Sequence, residues 1–294
     1  MPKKYIVQKF DPNQDFQLEA IQAVVDIFQG LPTNGDRQNT LWTGTVPNFP
    51  PEKVFDETWL LENVITVQKR NNIPPLVKLA KDEGLVLDGA GYDSHEYFPF
   101  TIEMETGTGK TYVYLRTIYE LSQKYNFRKY IIVVPSIAIF EGVFKAFQDL
   151  KGHLSSLYGN MNVHMHKYDS AHISMLRDFA DSPFTEILVM TVQSFDNASG
   201  YHRNNIYKPQ EQLPGERLPY QYIQETRPIL ILDEPQNLKS DLRRSALHTL
   251  NPLYSLNYSA THHNLYNHLY SLTPFEAYQR GLVKKIQVDG VLET

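Results

Sequence analysis

Hydrophobic positions divide the chain into two parts with different patterns. Over residues 11–28, apolar side chains recur at i, i+3, i+7 and i+10, which predicts one amphipathic helix. These side chains are Leu18, Ile21, Val25 and Phe28. From residue 98 onward, short apolar runs alternate with stretches of helical spacing. The runs are Phe98–Met104, Tyr130–Val134, Glu186–Met190, Ile229–Leu232 and Leu253–Tyr258.

The apolar runs indicate a parallel sheet. Residues 131–134 and 229–232 carry no alternating polar side chains, which is typical of strands buried on both faces. Helices are predicted between the runs at Thr111–Lys124 and Ser136–Leu150. Strands that alternate with helices predict a doubly wound α/β domain, and we expect the whole chain, 1–294, to form it.

Three further segments have their own character. Residues 31–97 are rich in proline and predict an insertion with a short helix near Phe55–Gln68. Residues 200–228 combine prolines with polar side chains and predict a surface excursion. Near the end, Thr273-Pro274-Phe275-Glu276 has the form of a capping box, and Gly281 is a suitable helix stop.

Composition narrows the class of protein. The chain has 294 residues, 41% hydrophobic and 21% charged, which is typical of a globular protein and not of a disordered one. It contains no cysteine, which excludes disulfides and Cys-ligated zinc. The net charge of −5 does not favour nonspecific binding of polyanions, although a local path for DNA remains possible. No apolar run of about 18 residues and no signal core occur, so we expect a cytoplasmic protein without a membrane span.

The segment Glu105–Thr111 follows an apolar run and precedes a helical pattern, the context of a phosphate-binding loop. Gly107 and Gly109 allow backbone N–H groups to close around phosphate oxygens. Lys110 would place its charge on the β- and γ-phosphates, and Thr111 would offer its hydroxyl to Mg²⁺. The motif departs from the strict form because Met104 stands where the first glycine is usual.

An acidic pair follows the apolar run Ile229–Leu232. Asp233 would hold Mg²⁺, through water, and Glu234 would activate the attacking water as a general base. Taken alone, the pair also fits a helix N-cap, and the phosphate-binding loop upstream favours the metal and base roles. Ser259-Ala260-Thr261 follows the next apolar run and fits either a sensor of the acidic pair or an ordinary turn.

The motifs together resemble the first motor domain of superfamily-two, DEAD/DEAH-like helicases. The set is Gln17 within Phe16–Ile21, Thr106-Gly107-Thr108-Gly109-Lys110-Thr111, Asp233-Glu234-Pro235-Gln236 and Ser259-Ala260-Thr261. The longer strings Glu103–Tyr114, Tyr258–His262 and Leu272–Lys285 resemble the Res subunit of type III restriction-modification enzymes. The resemblance implies a RecA-like P-loop NTPase fold, a mostly parallel sheet with helices on both faces.

The resemblance also implies roles for single residues. Gln17 would recognise the adenine edge, and Gln236 would face Ser259–Thr261 and couple hydrolysis to movement. Pro135, Ser136, Thr191, Gln193 and Ser194 stand where such motors hold the DNA backbone, through contacts to phosphates and not to bases.

The implied function is an ATP-binding motor that uses ATP and Mg²⁺ to move or signal along double-stranded DNA before cleavage. A methyltransferase (Mod) subunit would supply sequence recognition. The family also carries a second motor domain with arginine fingers and a nuclease domain, which we do not find in residues 1–294, so we expect a fragment of a longer enzyme. Two alternatives remain open: another superfamily-two translocase, or a catalytically idle nucleotide-binding module.

His164 and His166 are a weaker signal. Two imidazoles on one strand face can bind a metal, but no third ligand stands within reach along the sequence, which favours a partly exposed strand.

Overall fold

The computed structural model describes most of the chain. It covers residues 10–31, 44–49, 55–88, 91–194, 205–211, 213, 217–237, 246–262 and 264–283. The helices are α1 (Asp15–Asp26), α2 (Glu57–Arg70), α3 (Lys110–Tyr125), α4 (Ile137–Leu157), α5 (Met175–Asp181), α6 (Pro219–Thr226) and α7 (Pro274–Gln279). The strands are β1 (Asp82–Asp88), β2 (Gly91–Met104), β3 (Lys129–Val134), β4 (Val163–Lys167), β5 (Thr185–Thr191), β6 (Ile229–Asp233), β7 (Tyr254–Ser259) and β8 (Tyr270–Leu272).

Within the described residues, these eight strands form one mostly parallel sheet. The order is β1-β2-β7-β6-β3-β5-β4, and β8 pairs with the last part of β2. The β1–β2 pair is antiparallel, and every other pair is parallel. Because the carboxyl ends of parallel strands meet at one edge, the loops after β2, β6 and β7 lie side by side.

The core lies on both faces of the sheet. Ile132 and Val134 of β3 pack with α1, α2, α3 and α4, whereas Ile131 and Val133 pack with α5 and α6. A strand covered on both faces has no solvent side, which explains why its residues do not alternate with polar ones. The predicted fold class, an α/β domain with helices on both faces of a mostly parallel sheet, is confirmed.

The helices largely follow the sequence pattern. In the segment 31–97, α2 occupies the position of the predicted short helix, and the Asp56 side chain accepts a hydrogen bond from the Trp59 N–H at 2.9 Å. The capping box of α7 forms as predicted, with the Glu276 N–H donating to the Thr273 Oγ1 at 3.3 Å. No helix in the described parts of the chain combines the length and apolar character needed to cross a membrane.

Two segments differ from their sequence-based interpretation. The β1–β2 hairpin lies in the range that the prolines mark as irregular. The surface excursion predicted over 200–228 is wrong for its last part, because residues 219–226 form α6 and bury Tyr220, Tyr222 and Ile223. Pro219 occupies the first turn of this helix. Backbone N–H groups there have no acceptor within the helix, so the N–H that proline lacks is not missed.

Candidate functional site

The turn between β2 and α3 has the backbone geometry of a phosphate-binding loop. Gly107 and Gly109 adopt φ values of 83° and 89°, in the left-handed region that favours glycine. Gly109 is the N-cap of α3 and provides no side-chain cap, so the first N–H groups of the helix stay available for an anion. The Thr108 hydroxyl donates to the Glu105 carbonyl at 2.6 Å and closes the turn.

Gln17 of α1 lies directly against this turn. Its Nε2 donates to the Thr108 carbonyl at 3.0 Å. A Cβ added at Gly109 would lie 2.6 Å from the same Nε2 and would displace the Gln17 amide, and the left-handed φ of Gly109 independently favours glycine. Beside the contact is a cavity of about 400 Å³ whose walls include Phe10, Phe16 and Tyr112. An amide group flanked by aromatic side chains suits a planar nitrogen base.

Arg116 of α3 anchors the segment that leads into α1. Its Nη1 donates to the Pro12 carbonyl at 2.7 Å and to the Tyr112 hydroxyl at 3.1 Å. Its Nε donates to the Tyr158 hydroxyl at 2.9 Å. The guanidinium is largely buried, so these bonds hold Tyr112 and residues 10–17 in place around the cavity.

The acidic pair faces the phosphate-binding loop. β6 ends at Asp233, and Glu234 adopts a φ of 57° while its N–H donates to the Tyr258 carbonyl at 2.9 Å. This left-handed residue turns the Glu234 side chain towards Lys110, whose Nζ lies 2.8 Å from the Glu234 Oε1. A strained backbone held by neighbouring strands is a common feature of functional sites.

Two more side chains converge on the other oxygen of Glu234. Gln236 Nε2 donates to Oε2 at 2.6 Å, and the Ser259 hydroxyl donates to the same atom at 2.5 Å. Ser259 Oγ in turn accepts the Thr261 N–H at 3.0 Å. The Ser259–Thr261 strand end therefore touches Glu234 directly, and Gln236 meets this strand end through the shared carboxylate oxygen.

The two carboxylates have opposite pKa shifts. Burial, and then the charge of Glu234, raises the pKa of Asp233 to about 6, and Lys110 opposes this in part. Burial alone would raise the pKa of Glu234 as well, but hydrogen bonds from Lys110, Ser259 and Gln236 outweigh it and hold that pKa below its ordinary value. Glu234 is therefore ionised at neutral pH. A ligand that draws Lys110 away would raise the pKa of Glu234.

Asp233→Asn should stabilise the ligand-free chain at neutral pH. Asp233 ionises at 3.8 as a free group and at about 6 when folded, so its contribution to the free energy of unfolding falls as the pH rises between these values. The amide does not ionise, so the gain should be absent below pH 3.8, grow to pH 6 and reach about 3 kcal/mol at most.

Urea unfolding at pH 3.5 and at pH 7.5 measures this gain, with the exposed Asp149→Asn as control. A variant that is equally stable or less stable than the wild type at pH 7.5 would contradict the burial argument.

The residues assigned to DNA lie at the same edge of the sheet. Val134 and Thr191 are paired in β3 and β5, so Pro135 and Ser136 stand beside the residues that follow Thr191. Ser136 Oγ accepts the Ile139 N–H at 3.4 Å as the N-cap of α4, which leaves its proton for an acceptor. Thr191 Oγ1 and Ser194 Oγ lie 3.0 Å apart, and Gln193 lies between them in a short 3₁₀ turn. These neighbours form a row of polar side chains suited to phosphates.

His164 and His166 lie on β4, the partly exposed strand predicted for them. Both imidazoles contact the buried carboxylate of Glu186, at 2.9 Å for His164 Nδ1 and 2.6 Å for His166 Nε2. Within the described ranges, no group of three or more His, Asp or Glu side chains is arranged to hold a metal ion.

The residues around the loop fit a nucleotide with Mg²⁺. Thr111 supplies a hydroxyl and Asp233 a carboxylate, and no described hydrogen bond occupies that carboxylate. Mg²⁺ usually binds through one or two such protein oxygens together with phosphates and water. The open N–H groups of α3 and the charge of Lys110 would meet the phosphates.

Sequence analysis missed three residues of this site. Phe10 and Tyr112 line the cavity beside Gln17, and Tyr114 is a fully buried side chain on α3, one turn after Lys110. Tyr114 is four residues after Lys110 on the same helix, so helical spacing carries a signal for Tyr114, and Tyr112 is marked only by its place directly after Thr111. Phe10 has no such signal, because its position depends on how the chain before α1 folds back.

The family model of type III restriction enzyme, res subunit, matches residues 13–264. The StyLTI Res subunit of Salmonella typhimurium is 33% identical over 178 residues, which is 54% of this chain and 18% of that protein. The EcoPI Res subunit of Escherichia phage P1 is 23% identical over 94% of this chain and 28% of that protein. The chain thus spans less than a third of the length of these relatives.

Two solved structures are distantly similar. One is the SWI2/SNF2 ATPase core of Sulfolobus solfataricus in complex with dsDNA, at 12% identity, a TM-score of 0.36, and coverage of 55% of this chain and 28% of that one. The other is a nuclease-deletion mutant of the Type ISP restriction-modification enzyme LlaGI in complex with a DNA substrate mimic. It has 16% identity and a TM-score of 0.40, and the match covers 62% of this chain and 18% of that one.

Proposed function

We propose that this chain binds ATP with Mg²⁺ as the first motor domain of a DNA-translocating restriction enzyme. The chain belongs to the family of type III restriction enzyme Res subunits. In the proposed enzyme, ATP hydrolysis drives movement or signalling along double-stranded DNA before the DNA is cut. The relatives are named as subunits of restriction-modification enzymes, which supports a methyltransferase (Mod) partner.

One observation carries the proposal. A glycine turn with two left-handed residues places Lys110 within 2.8 Å of Glu234, which follows the neighbouring strand β6. A turn suited to an anion and an ionised carboxylate are thereby brought next to each other. This is the arrangement that phosphoryl transfer to water requires.

The roles of the residues follow from their geometry. When ATP is bound, Lys110 would leave Glu234 for the phosphates, because a phosphate carries more charge than one carboxylate. Glu234 would then keep its hydrogen bonds from Ser259 and Gln236, which orient it, and lose the cation that lowers its pKa. It could therefore accept the proton of an attacking water. Mg²⁺, held by Thr111 and Asp233, would neutralise charge on the phosphates.

The link from hydrolysis to DNA would run through Ser259–Thr261 and the polar row at the ends of β3 and β5. Ser259 contacts Glu234 directly and lies at the end of β7, so a change at Glu234 reaches this strand end first. Ser136, Thr191 and Ser194 would hold DNA phosphates without reading bases, which is consistent with the net charge of −5. The sequence recognition of the proposed enzyme would then come from its partner subunit.

The test is isothermal calorimetry of residues 1–294 with a nonhydrolysable ATP analogue, with and without Mg²⁺. We expect binding that needs Mg²⁺ for full affinity and that is weak, since family members complete the pocket with a second motor domain. The same titration of Asp233→Asn should lose the Mg²⁺-dependent part. A folded wild-type sample that binds no nucleotide would refute the proposal.

A further inference from the structure

Arg116 carries a buried positive charge that no step of the proposed reaction uses. The residue is 9% exposed. Among the described residues, the groups that accept its hydrogen bonds are three uncharged oxygens, the Pro12 carbonyl and the hydroxyls of Tyr112 and Tyr158. A buried cation held by neutral oxygens is costly, and an apolar side chain of similar size is often at least as stable in such a place. What Arg116 holds in position therefore explains it better than stability does.

One nitrogen atom of Arg116 joins two walls of the cavity of about 400 Å³ described above. Its Nη1 donates both to the Pro12 carbonyl and to the Tyr112 hydroxyl, at 2.7 and 3.1 Å. Pro12 lies between Phe10 and Gln14, which line the cavity on the side before α1, whereas Tyr112 lines it from the first turn of α3. The distance between these two walls is thus fixed by a single guanidinium group.

His153 of α4 supports the same two walls from outside. Its ring centroid lies 5.6 Å from that of Phe10 and 5.8 Å from that of Tyr112, and its Nε2 lies 3.1 Å from the Tyr112 hydroxyl. Arg116 can only donate, so the Tyr112 oxygen accepts from it and the hydroxyl proton can go to His153. Burial, and then the charge of Arg116, lowers the pKa of His153, so the neutral imidazole is available to accept that proton. Contacts from α3 and α4 together fix the direction of the Tyr112 ring.

The other side of the guanidinium is anchored at the end of α4. The Arg116 Nε donates to the Tyr158 hydroxyl at 2.9 Å, and that hydroxyl donates to the Glu120 Oε1 at 2.6 Å. A planar guanidinium can donate in both directions at once, which the single ammonium group of lysine cannot do over the same span. Arginine at this position therefore suits a group that must be held from one side while it holds two walls on the other.

We propose that Arg116 is a positioning residue for the base of the nucleotide, which holds Tyr112 and residues 10–14 at a separation that admits a flat aromatic ring. The inference rests on the proposed function, since it takes the occupant of the cavity to belong to the nucleotide whose phosphates the turn binds. Gly107 and Gly109 line the same cavity, so one molecule can reach both places. Arg116 should then control the part of the affinity that comes from the base and leave the part that comes from the phosphates.

The experiment is calorimetry of residues 1–294 with two ligands in the presence of Mg²⁺. One is a nonhydrolysable ATP analogue, and the other is inorganic tripolyphosphate, which has no base or ribose. The ratio of the two affinities measures what the nucleoside contributes, and stacking of the base on aromatic side chains predicts a ratio of about 10 or more. In Arg116→Lys the ratio should fall about 10-fold, while the affinity for tripolyphosphate stays unchanged.

Arg128→Lys is the matched control. Arg128 is also a partly buried arginine that donates to a neutral oxygen, the Asn126 Oδ1 at 2.8 Å, but it lies beyond the opposite end of α3. Its substitution should leave the ratio unchanged. Tyr112→Phe is a milder second variant, because it keeps the ring and deletes only the hydroxyl that Arg116 and His153 contact. Its ratio should fall about 2- to 10-fold.

The outcomes separate the possible errors. An unchanged ratio in folded Arg116→Lys, or in Tyr112→Phe if the first variant does not fold, would overturn the positioning role and leave the proposed function intact. Equal losses of affinity for both ligands would indicate a purely structural role and also overturn it. A wild-type chain that binds tripolyphosphate as tightly as the analogue would show that the cavity holds no base. A folded wild-type chain that binds neither ligand would refute the proposed function itself.

Discussion

Lys110→Ala should reduce the affinity of the chain for an ATP analogue about 100-fold or more. The Lys110 ammonium lies beside the turn, and its removal deletes the charge-assisted hydrogen bonds that it would make to the phosphates, worth about 1.5–3 kcal/mol each. Calorimetry at a single salt concentration measures the change. The fold should survive, because Lys110 is partly exposed at the first turn of α3 and its alkyl chain is not part of the core.

Lys124→Ala is the matched control for charge. Lys124 lies on the same helix, is 42% exposed and makes a long contact of 4.0 Å with Asp26. We expect its affinity for the analogue to equal that of the wild type. If Lys110→Ala bound the ATP analogue as tightly as the wild type, Lys110 would not bind the phosphates. The assignment of the turn as a phosphate-binding loop would then be wrong as well.

Glu234→Gln should separate binding from hydrolysis. The amide keeps the shape of the side chain but cannot accept a proton, so ATP turnover should fall about 10²- to 10⁴-fold in an enzyme of the length of its relatives. In residues 1–294, binding of the analogue should be unchanged or tighter. The reason is that the Lys110–Glu234 ion pair competes with the phosphates, and the substitution removes that competition.

One control serves both measurements. Glu103→Gln changes a nearby carboxylate that accepts a hydrogen bond from Ser271 at 2.6 Å, and it should alter neither binding nor turnover strongly. If Glu234→Gln lost binding to the same extent as Lys110→Ala, Glu234 would be part of the ground-state pocket and not the base. Unchanged turnover would likewise exclude it as the base.

The local elements were predictable because their signals are short in range. The apolar run Tyr130–Val134 matches β3 to within one residue, since a strand buried on both faces needs continuous apolar side chains. The turn at Gly107 and Gly109 was predictable because left-handed backbone next to a helix start selects glycine. The start of α4 was predictable for a different reason, because the Ser136 hydroxyl accepts an N–H of the first turn, although α4 extends to Leu157, seven residues beyond the predicted end.

The errors in the fold arise where proline or polar side chains were taken as signs of irregular structure. Pro219 begins α6 rather than interrupting it, and the buried face of that helix is supplied by tyrosines as much as by aliphatic residues. The edge strand of the β1–β2 hairpin is β1, which is half-exposed. Its stability comes from pairing with β2 and not from a hydrophobic pattern of its own.

The sequence by itself determined which residues form the candidate site, and the tertiary structure decided which of them touch. Glycines, Lys110 and the acidic pair are recognisable because each must be that residue type. That Glu234 is held by both Lys110 and Ser259 depends on the order β2-β7-β6 in the sheet. Neighbours in this sheet are distant in sequence and are joined by crossover connections, so no local periodicity specifies their contacts.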